Sequence, residues 1–213
     1  MKPGRLRAVL FDWDGTLADT AEISFRVYAT LFGSYGIGFG RAEFERTYSP
    51  DWYRTFEAMG LARERWADAD RRWLELYARE RSRLLPGSAE GLARLQERGL
   101  LQGLVTSGTR SRVEQDLERL MVRGFFEVVV CGGDTERRKP DPEPLLVALD
   151  RLGVGPADAV YVGDSPEDVT MARAASVFSI GIPGGFPNGK ALAAARPDLL
   201  SESLGAAIRA LVG

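Results

Sequence analysis

Four short apolar runs, each ending in a cluster of polar residues, restrict the folds open to this chain of 213 residues. The runs span residues 6–11, 101–107, 125–131 and 159–162. Each has the length and apolar content of a buried strand. Helical patterns at 88–98, 110–121 and 142–152, a fifth strand at 177–182 and a closing strand and helix complete the series. This alternation predicts an α/β fold with a doubly wound, Rossmann-like parallel sheet.

The first run ends in Asp12-Trp13-Asp14-Gly15-Thr16, which predicts a tight turn at the carboxyl end of a strand. Open α/β sheets bind their ligands at that edge. An aspartate nucleophile needs a partner carboxyl that can give and take a proton, and this spacing lets both acids approach one site. The alternative is an Asx turn that closes the strand with both acids in solvent.

The second and third runs end in groups suited to phosphate. Thr106, Ser107 and Gly108 lie where a strand passes into a helix, so their hydroxyl and backbone groups are placed to donate to phosphate oxygens. Helix capping is the alternative for the hydroxyls. Lys139 lies between a glycine-rich turn and Pro140, and its compact ammonium suits a phosphate. The alternative is a solvated surface lysine.

The fourth run ends in two acids, Asp164 and Asp168. Carboxylates four residues apart after a strand are suited to a hard cation such as Mg²⁺, which prefers oxygen ligands. Asp168 has a second interpretation, because Ser165 and Asp168 have the spacing of a capping box with Pro166 at the first helical position. Asp164 precedes the cap and has no such structural role.

Composition narrows the chemistry and the partners. The chain has no histidine, so the commonest general acid–base and the commonest transition-metal ligand are both missing. The single cysteine, Cys131, lies in an apolar run and is expected to be buried and unreactive. The 30 acidic and 28 basic residues nearly balance, which gives no support to a nucleic-acid or membrane partner. Without a signal-peptide or membrane-span pattern near the amino terminus, a cytoplasmic location is expected.

Residues 18–83 lack strand-like runs and are expected to be helical throughout, as an inserted lid. The predicted domains are therefore an α/β core of residues 1–17 and 84–213 and an α-helical cap of residues 18–83, hereafter the cap segment. Within it, a loop around residues 49–50 could face the site. Arg46, Tyr48, Trp52 and Arg54 surround that loop and are the candidate substrate contacts; a solvated loop is the alternative.

Taken in this order, the four clusters resemble the motifs of the haloacid dehalogenase superfamily over essentially the whole chain. Its Asp-x-Asp-Gly-Thr motif stands at 12–16, its apolar run ending in Thr or Ser at 104–106, its lysine at 139 and its acidic motif at 163–168. The position of the cap segment is similar to that of members with a helical cap, such as the phosphoglycolate-phosphatase-like and β-phosphoglucomutase-like enzymes.

The resemblance implies a Mg²⁺-dependent enzyme that works through an aspartyl-phosphate. Asp12 would be the nucleophile and Asp14 the general acid and base. Mg²⁺ would be held by Asp12, Asp164 and the backbone carbonyl of Asp14, with Asp168 behind them, and phosphate by Thr106, Ser107, Gly108 and Lys139.

The sequence therefore predicts a phosphatase that acts on a small phosphorylated metabolite, most like phosphoglycolate phosphatase, as a monomer or homodimer. A sugar phosphomutase is the first alternative, although Ser24 stands where β-phosphoglucomutases carry a histidine. A non-catalytic regulator that retains the site is the second.

Overall fold

The computed structural model describes residues 6–213, and its main feature is a six-stranded sheet. The strands are β1 (Ala8–Phe11), β2 (Ala18–Asp19), β3 (Arg83–Leu84), β4 (Leu101–Thr109), β5 (Val128–Gly132), β6 (Ala159–Gly163), β7 (Phe178–Gly181) and β8 (Leu199–Leu200). Six of them pair in the order β5-β4-β1-β6-β7-β8, and every pair in that sheet is parallel. The predicted α/β class with a parallel sheet is confirmed. Residues 1–5 of the predicted core segment lie outside the described residues.

Helices that follow β3 in the chain cover both faces of the sheet. The helices of the described residues are α1 (Ala21–Ser34), α2 (Arg41–Thr47), α3 (Trp52–Ala58), α4 (Trp66–Tyr77), α5 (Ser88–Glu97), α6 (Arg110–Arg119), α7 (Glu143–Leu152), α8 (Pro166–Ala174), α9 (Gly189–Ala194) and α10 (Leu204–Val212). Val9 and Phe11 of β1 share a core with α5, α6 and α10, whereas Ala8 and Leu10 share one with α7 and α8. Because successive side chains of a strand point to opposite faces, both faces of β1 must be apolar. This explains why the run is continuous rather than alternating.

Strand boundaries differ from the apolar runs at two places. The 125–131 run becomes a strand only at Val128, because residues 123–125 form a 3₁₀ turn. Phe126 is nevertheless buried in the core. The apolar residues at 125–126 therefore indicate burial. The hydrogen bonding that defines the strand begins only at Val128, where β5 pairs with β4. At the other place β4 continues past residue 107 to Thr109, with an irregular register between Val105 and Thr109.

The cap segment contains α1 to α4, which pack around an apolar cluster that includes the fully buried Phe32 and Phe56 and also Phe186 from outside the segment. The expectation that this interval has no strands is wrong at its two ends. There β2 and β3 pair antiparallel, with Ala18 opposite Leu84 and Asp19 opposite Arg83. Two-residue strands give no periodic signal, so the sequence did not indicate them. The division into a core and a cap at these positions stays a prediction.

Among the described helices, none combines the length and the apolar character required to cross a bilayer.

Candidate active site

The polar clusters that follow β1, β4 and β6 meet at one edge of the sheet. β1 lies between β4 and β6, so the residues that follow these three parallel strands are neighbours. The chain order reverses beside β1, because β4 and β5 lie on one side and β6, β7 and β8 on the other. Such a reversal leaves a crevice at the carboxyl ends of the strands, where α/β proteins bind ligands.

The turn after β1 directs Asp12 into this crevice. The Asp12 amide donates to the Val162 carbonyl at 2.9 Å, which continues the ladder to β6. The fully buried Trp13 anchors the turn, and its carbonyl accepts three N–H groups from the residues that follow. Gly15 has a φ of 79°, and a Cβ there would lie 2.3 Å from Asp164 Oδ2. Glycine is therefore required both by the backbone conformation and by the close approach of Asp164.

Three buried carboxylates and a lysine form the centre of the site. Asp12, Asp164 and Asp168 are 7%, 4% and 2% exposed, and each offers an oxygen within 4.8 Å of the others. The Lys139 ammonium donates to Asp12 Oδ1, to Asp168 Oδ1 and to the Tyr161 hydroxyl, each at 2.7 Å. The structure thus brings together Asp12, near the amino terminus, and three residues from the second half of the chain.

Burial and like charge dominate the electrostatics of this cluster. Burial, opposed by Lys139, raises the pKa of Asp12 to about 7. Burial and then the charge of Asp12 raise the pKa of Asp164 well above its ordinary value. For Lys139 burial acts in the opposite direction, but the charges of Asp12 and Asp168 raise its pKa. Three carboxylates beside one ammonium leave an excess of negative charge, which a bound cation would offset.

Asp168 has the structural role that its spacing indicated. Its Oδ2 accepts from the Ser165 amide at 3.1 Å, and the Ser165 hydroxyl accepts from the Asp168 amide at 3.2 Å. The capping box of α8 is therefore confirmed. The other oxygen, Oδ1, accepts from Lys139 and Tyr161. In contrast, Asp164 Oδ2 is buried without a hydrogen-bond partner among the described residues. Asp164 is thus the carboxylate with free capacity for a cation.

Thr106, Ser107 and Gly108 follow the last regular pairing of β4 and line the same cavity. The Thr106 hydroxyl accepts from the Gly108 amide at 3.1 Å. Helix capping does not explain these residues, because the N-cap of α6 is Thr109 and its side chain makes no capping bond. Their contribution to phosphate binding stays a prediction.

Asp14 lies apart from the acid cluster and is paired with Arg112, which the sequence analysis did not single out. Arg112 Nη2 lies 2.5 Å from Asp14 Oδ2, and Nη1 lies 3.0 Å from Oδ1. Arg112 belongs to α6, and arginine is the common basic residue of this chain. Only the fold shows that this particular arginine faces the cavity. Tyr161 was also missed, although a tyrosine inside an apolar strand is a visible signal.

The cap segment supplies an aromatic wall to the cavity. Tyr28, Tyr48, Trp52 and Trp73 line it, together with Phe186 from the core. Trp52 and Trp73 stack at 6.0 Å, and Tyr48 stacks on Phe186 at 4.5 Å. The indole N–H groups of both tryptophans are buried without an acceptor among the described residues. Of the described cap residues that line the cavity, none is charged.

The candidate contacts of the cap segment fall in three different places. Trp52 lines the cavity, and Tyr48 does so as well. Arg54 lines a neighbouring groove and pairs with Asp51 at 3.7 Å. Arg46 is exposed on α2 and is not part of the described cavity lining. Whether any of these four residues binds substrate stays a prediction.

Cys131 is buried in β5, as its apolar surroundings indicated. Burial raises the pKa of its thiol to about 11. The thiolate is the reactive form, so this cysteine is a poor nucleophile at neutral pH.

Comparison with known proteins adds a family and several relatives. The family model for haloacid dehalogenase-like hydrolases matches residues 9–182. A phosphoglycolate phosphatase from Shigella dysenteriae is 32% identical, over 97% of this chain and 92% of its own. The pyrophosphatase PpaX from Bacillus velezensis is 31% identical, over 96% and 95%. A solved structure from Thermotoga maritima, described as a candidate β-phosphoglucomutase, is 28% identical with a TM-score of 0.77, covering 97% of this chain and 98% of that one.

Proposed function

Because the chain belongs to the haloacid dehalogenase-like hydrolases, we propose that it is a Mg²⁺-dependent phosphatase. Its substrate is a small metabolite that carries a phosphate monoester, and the phosphoryl group passes through Asp12. Among named activities the reaction is most like that of phosphoglycolate phosphatase, the name of a relative that is similar over nearly the whole chain.

The arrangement around Asp12 carries this proposal. Its carboxylate is buried, contacts Lys139 at 2.7 Å and lies beside Asp164, whose Oδ2 has no hydrogen-bond partner in the described part of the chain. A phosphate ester presents dense negative charge to a carboxylate, so attack requires positive charge on the phosphate oxygens. The unpartnered oxygen of Asp164 and the excess negative charge of the cluster fit a divalent cation.

Asp12, Asp164 and the backbone carbonyl of Asp14 are the groups we assign to Mg²⁺. When bound, Mg²⁺ supplies charge neutralisation at the phosphate oxygens. Asp168 supports the site by holding Lys139 and is not assigned as a direct ligand, because both of its oxygens accept hydrogen bonds. Lys139, Thr106, Ser107 and Gly108 bind the remaining phosphate oxygens.

In the proposed reaction, Asp12 attacks phosphorus and the bond to the leaving alcohol breaks. Asp14 donates a proton to the departing alkoxide, which leaves an aspartyl-phosphate on Asp12. Asp14 then removes a proton from the attacking water, and inorganic phosphate departs from Asp12. The chain returns to its starting state with no external oxidant or reductant.

The predicted cap segment, residues 18–83, holds the leaving group and excludes water. Its wall offers aromatic faces, hydroxyls and two indole N–H groups but no described charged side chain. Such a surface has no charge to pair with the carboxylate of phosphoglycolate. The likeness to phosphoglycolate phosphatase is therefore proposed for the reaction and not for the leaving group. The substrate panel should therefore contain small phosphate esters with neutral and with anionic leaving alcohols. Phosphoglycolate represents the anionic group.

The test is phosphate release from a panel of phosphorylated metabolites with Mg²⁺, with chelator and with the Asp12→Asn protein. Release that requires both Mg²⁺ and Asp12 supports the phosphatase, and relative kcat/KM values rank the substrates. Release that continues in the Asp12→Asn protein would contradict the proposed nucleophile. Absence of release from every ester would favour the mutase or the regulator.

A phosphomutase is the second candidate, supported by the structural similarity to the Thermotoga maritima protein. A mutase would return the phosphoryl group to product before water arrives, and its rate would depend on a bisphosphate activator. Ser24 lines the cavity at the position where β-phosphoglucomutases carry a histidine, which favours the hydrolase. Activation by a sugar bisphosphate, measured as isomerised product, would reverse that preference.

A further inference from the structure

Asp14 is held by a two-point ion pair in the structure. The contacts from Arg112 Nη1 and Nη2 occupy both of its carboxylate oxygens, at 3.0 and 2.5 Å. The two side chains are 11% and 25% exposed, so solvent does little to weaken the pair. A guanidinium fork fixes the plane of the carboxylate as well as its position. Asp14 is thereby kept away from the cluster of Asp12, Asp164 and Asp168.

The surroundings of Arg112 are shaped for its side chain. Gly108 lies near the end of β4, just before α6, and a Cβ at that position would lie 2.2 Å from Arg112 Nη2. Any larger residue at 108 would displace the guanidinium. The guanidinium carbon lies 4.7 Å from the centre of the Tyr77 ring, and Nη1 lies 3.3 Å from the Tyr77 hydroxyl. Tyr77 is the last residue of α4, so Arg112 joins the cap segment to Asp14.

We propose that Arg112 is a positioning residue for proton transfer by Asp14. It holds the carboxylate towards the cavity and outside the cation site, and Tyr77 fixes the guanidinium from the side of the cap segment. The inference rests on the proposed function, because it requires Asp14 to be the general acid.

Arg112 can assist proton transfer only by orienting Asp14. Arginine remains charged at any working pH and has no acceptor, so it neither supplies nor receives the proton. The Arg112 fork holds Asp14 as a carboxylate, whereas a general acid must carry a proton. Asp14 therefore takes up a proton from water at one oxygen, that oxygen leaves the guanidinium, and the fork contact becomes a single contact before the proton passes to the alkoxide. Arg112 therefore sets the plane from which Asp14 turns towards the leaving group.

The leaving group provides the test. A 4-nitrophenolate departs without protonation, whereas an alkoxide needs the proton from Asp14. The ratio kcat/KM reports the steps up to departure of the alcohol. It is measured with 4-nitrophenyl phosphate and with an alkyl phosphate for the wild type, Arg112→Gln, Arg112→Lys and Tyr77→Ala. Arg110→Gln, which removes an exposed arginine of the same helix, is the control.

If Arg112 positions Asp14, Arg112→Gln lowers kcat/KM for the alkyl ester about 100-fold, the lower range for a lost general acid, and for the nitrophenyl ester less than about 5-fold. The lysine variant, which keeps the charge but loses the fork, falls near the glutamine variant. Tyr77→Ala shows the same selectivity with a smaller loss, and Arg110→Gln matches the wild type. Thermal unfolding of each variant confirms that it is folded.

A double mutant separates action through Asp14 from direct substrate binding. The Arg112→Gln change in an Asp14→Asn background is expected to produce no further loss on the alkyl ester. Equal losses on both esters, or additive losses in the double mutant, would overturn the inference and leave the phosphatase in place. A wild-type protein without Asp12-dependent release from either ester would instead overturn the proposed function, and the inference with it.

Discussion

Lys139 links the two parts of the acid cluster through its 2.7 Å contacts to Asp12 and Asp168. Its side chain is 6% exposed, so all three charges lie in a poorly solvated region. Removing one partner of such a group leaves a buried charge without compensation. This destabilises the protein by more than the intact pair stabilises it. At the scale of the residue, we therefore expect Lys139 to affect folding in addition to its proposed part in phosphate binding.

We expect Lys139→Met to lower the free energy of unfolding by about 3 kcal/mol, because Asp12 and Asp168 lose their neutralising partner. The ratio kcat/KM is expected to fall by roughly 100-fold or more, as for loss of a group that stabilises transition-state charge. Denaturant unfolding and steady-state kinetics measure the two effects. Lys190→Met, at an exposed position of α9, is the matched control. Equal stability of the two variants would contradict the role assigned to Lys139.

At the scale of the element, the turn after β1 is the most constrained segment of the site. It must reverse the chain after Asp12 and at the same time let Asp164 approach its backbone. Its glycine has a positive φ and no space for a side chain. Gly36 has a similar φ of 72°, but no atom of residues 6–213 lies within 4 Å of a Cβ built there. Replacing each glycine with alanine therefore distinguishes two causes of destabilisation. At Gly36 only the backbone conformation is strained, whereas at Gly15 the new methyl group is also crowded.

Gly15→Ala is expected to destabilise the protein by more than Gly36→Ala, for which the backbone cost alone is about 1 kcal/mol. The added methyl group of Gly15→Ala displaces the Asp164 carboxylate, so the Mg²⁺ concentration for half-maximal activity is expected to rise. Gly36→Ala leaves that concentration unchanged. A Mg²⁺ titration of both variants tests this prediction, and identical titration curves would contradict it.

The elements of the sheet could be predicted because each buried strand leaves a continuous apolar run, bounded by polar or glycine-rich residues. The pair β2–β3 could not, because two residues carry no periodicity. The start of β5 was also not predicted. Phe126 is buried, but the strand begins only at Val128, because burial does not require the hydrogen bonding of a strand.

At the scale of the whole molecule, the cavity lies where the cap segment meets the carboxyl edge of the sheet. The core contributes its charged groups, including Asp12 and Lys139, and the cap segment contributes aromatic and hydroxyl groups such as Trp52 and Ser49. From this separation we propose that the core carries out the chemical step and that the cap segment selects the leaving group.

Trp52→Leu is therefore expected to raise KM for the preferred ester several-fold, roughly the effect of 1 kcal/mol of lost contact, with little change for 4-nitrophenyl phosphate. Arg46→Ala, an exposed position outside the described lining, is expected to leave both KM values unchanged. Arg54→Ala, in the neighbouring groove, tests whether a long leaving group extends there. A larger effect from Arg46 than from Trp52 would contradict this assignment.

The sequence by itself determined the parallel α/β sheet, the turns that carry Asp12, Lys139 and Asp164, and the burial of Cys131. Local patterns suffice there, because strand burial and turn chemistry are encoded in neighbouring residues. Only the tertiary structure decided that Arg112 faces Asp14, that Tyr77 lies against it and that Arg46 is exposed. The contacts of Arg112 with Asp14 and Tyr77 join residues that are distant along the chain. An arginine or tyrosine gives no local indication of which distant group its side chain meets, or of whether it stays in solvent.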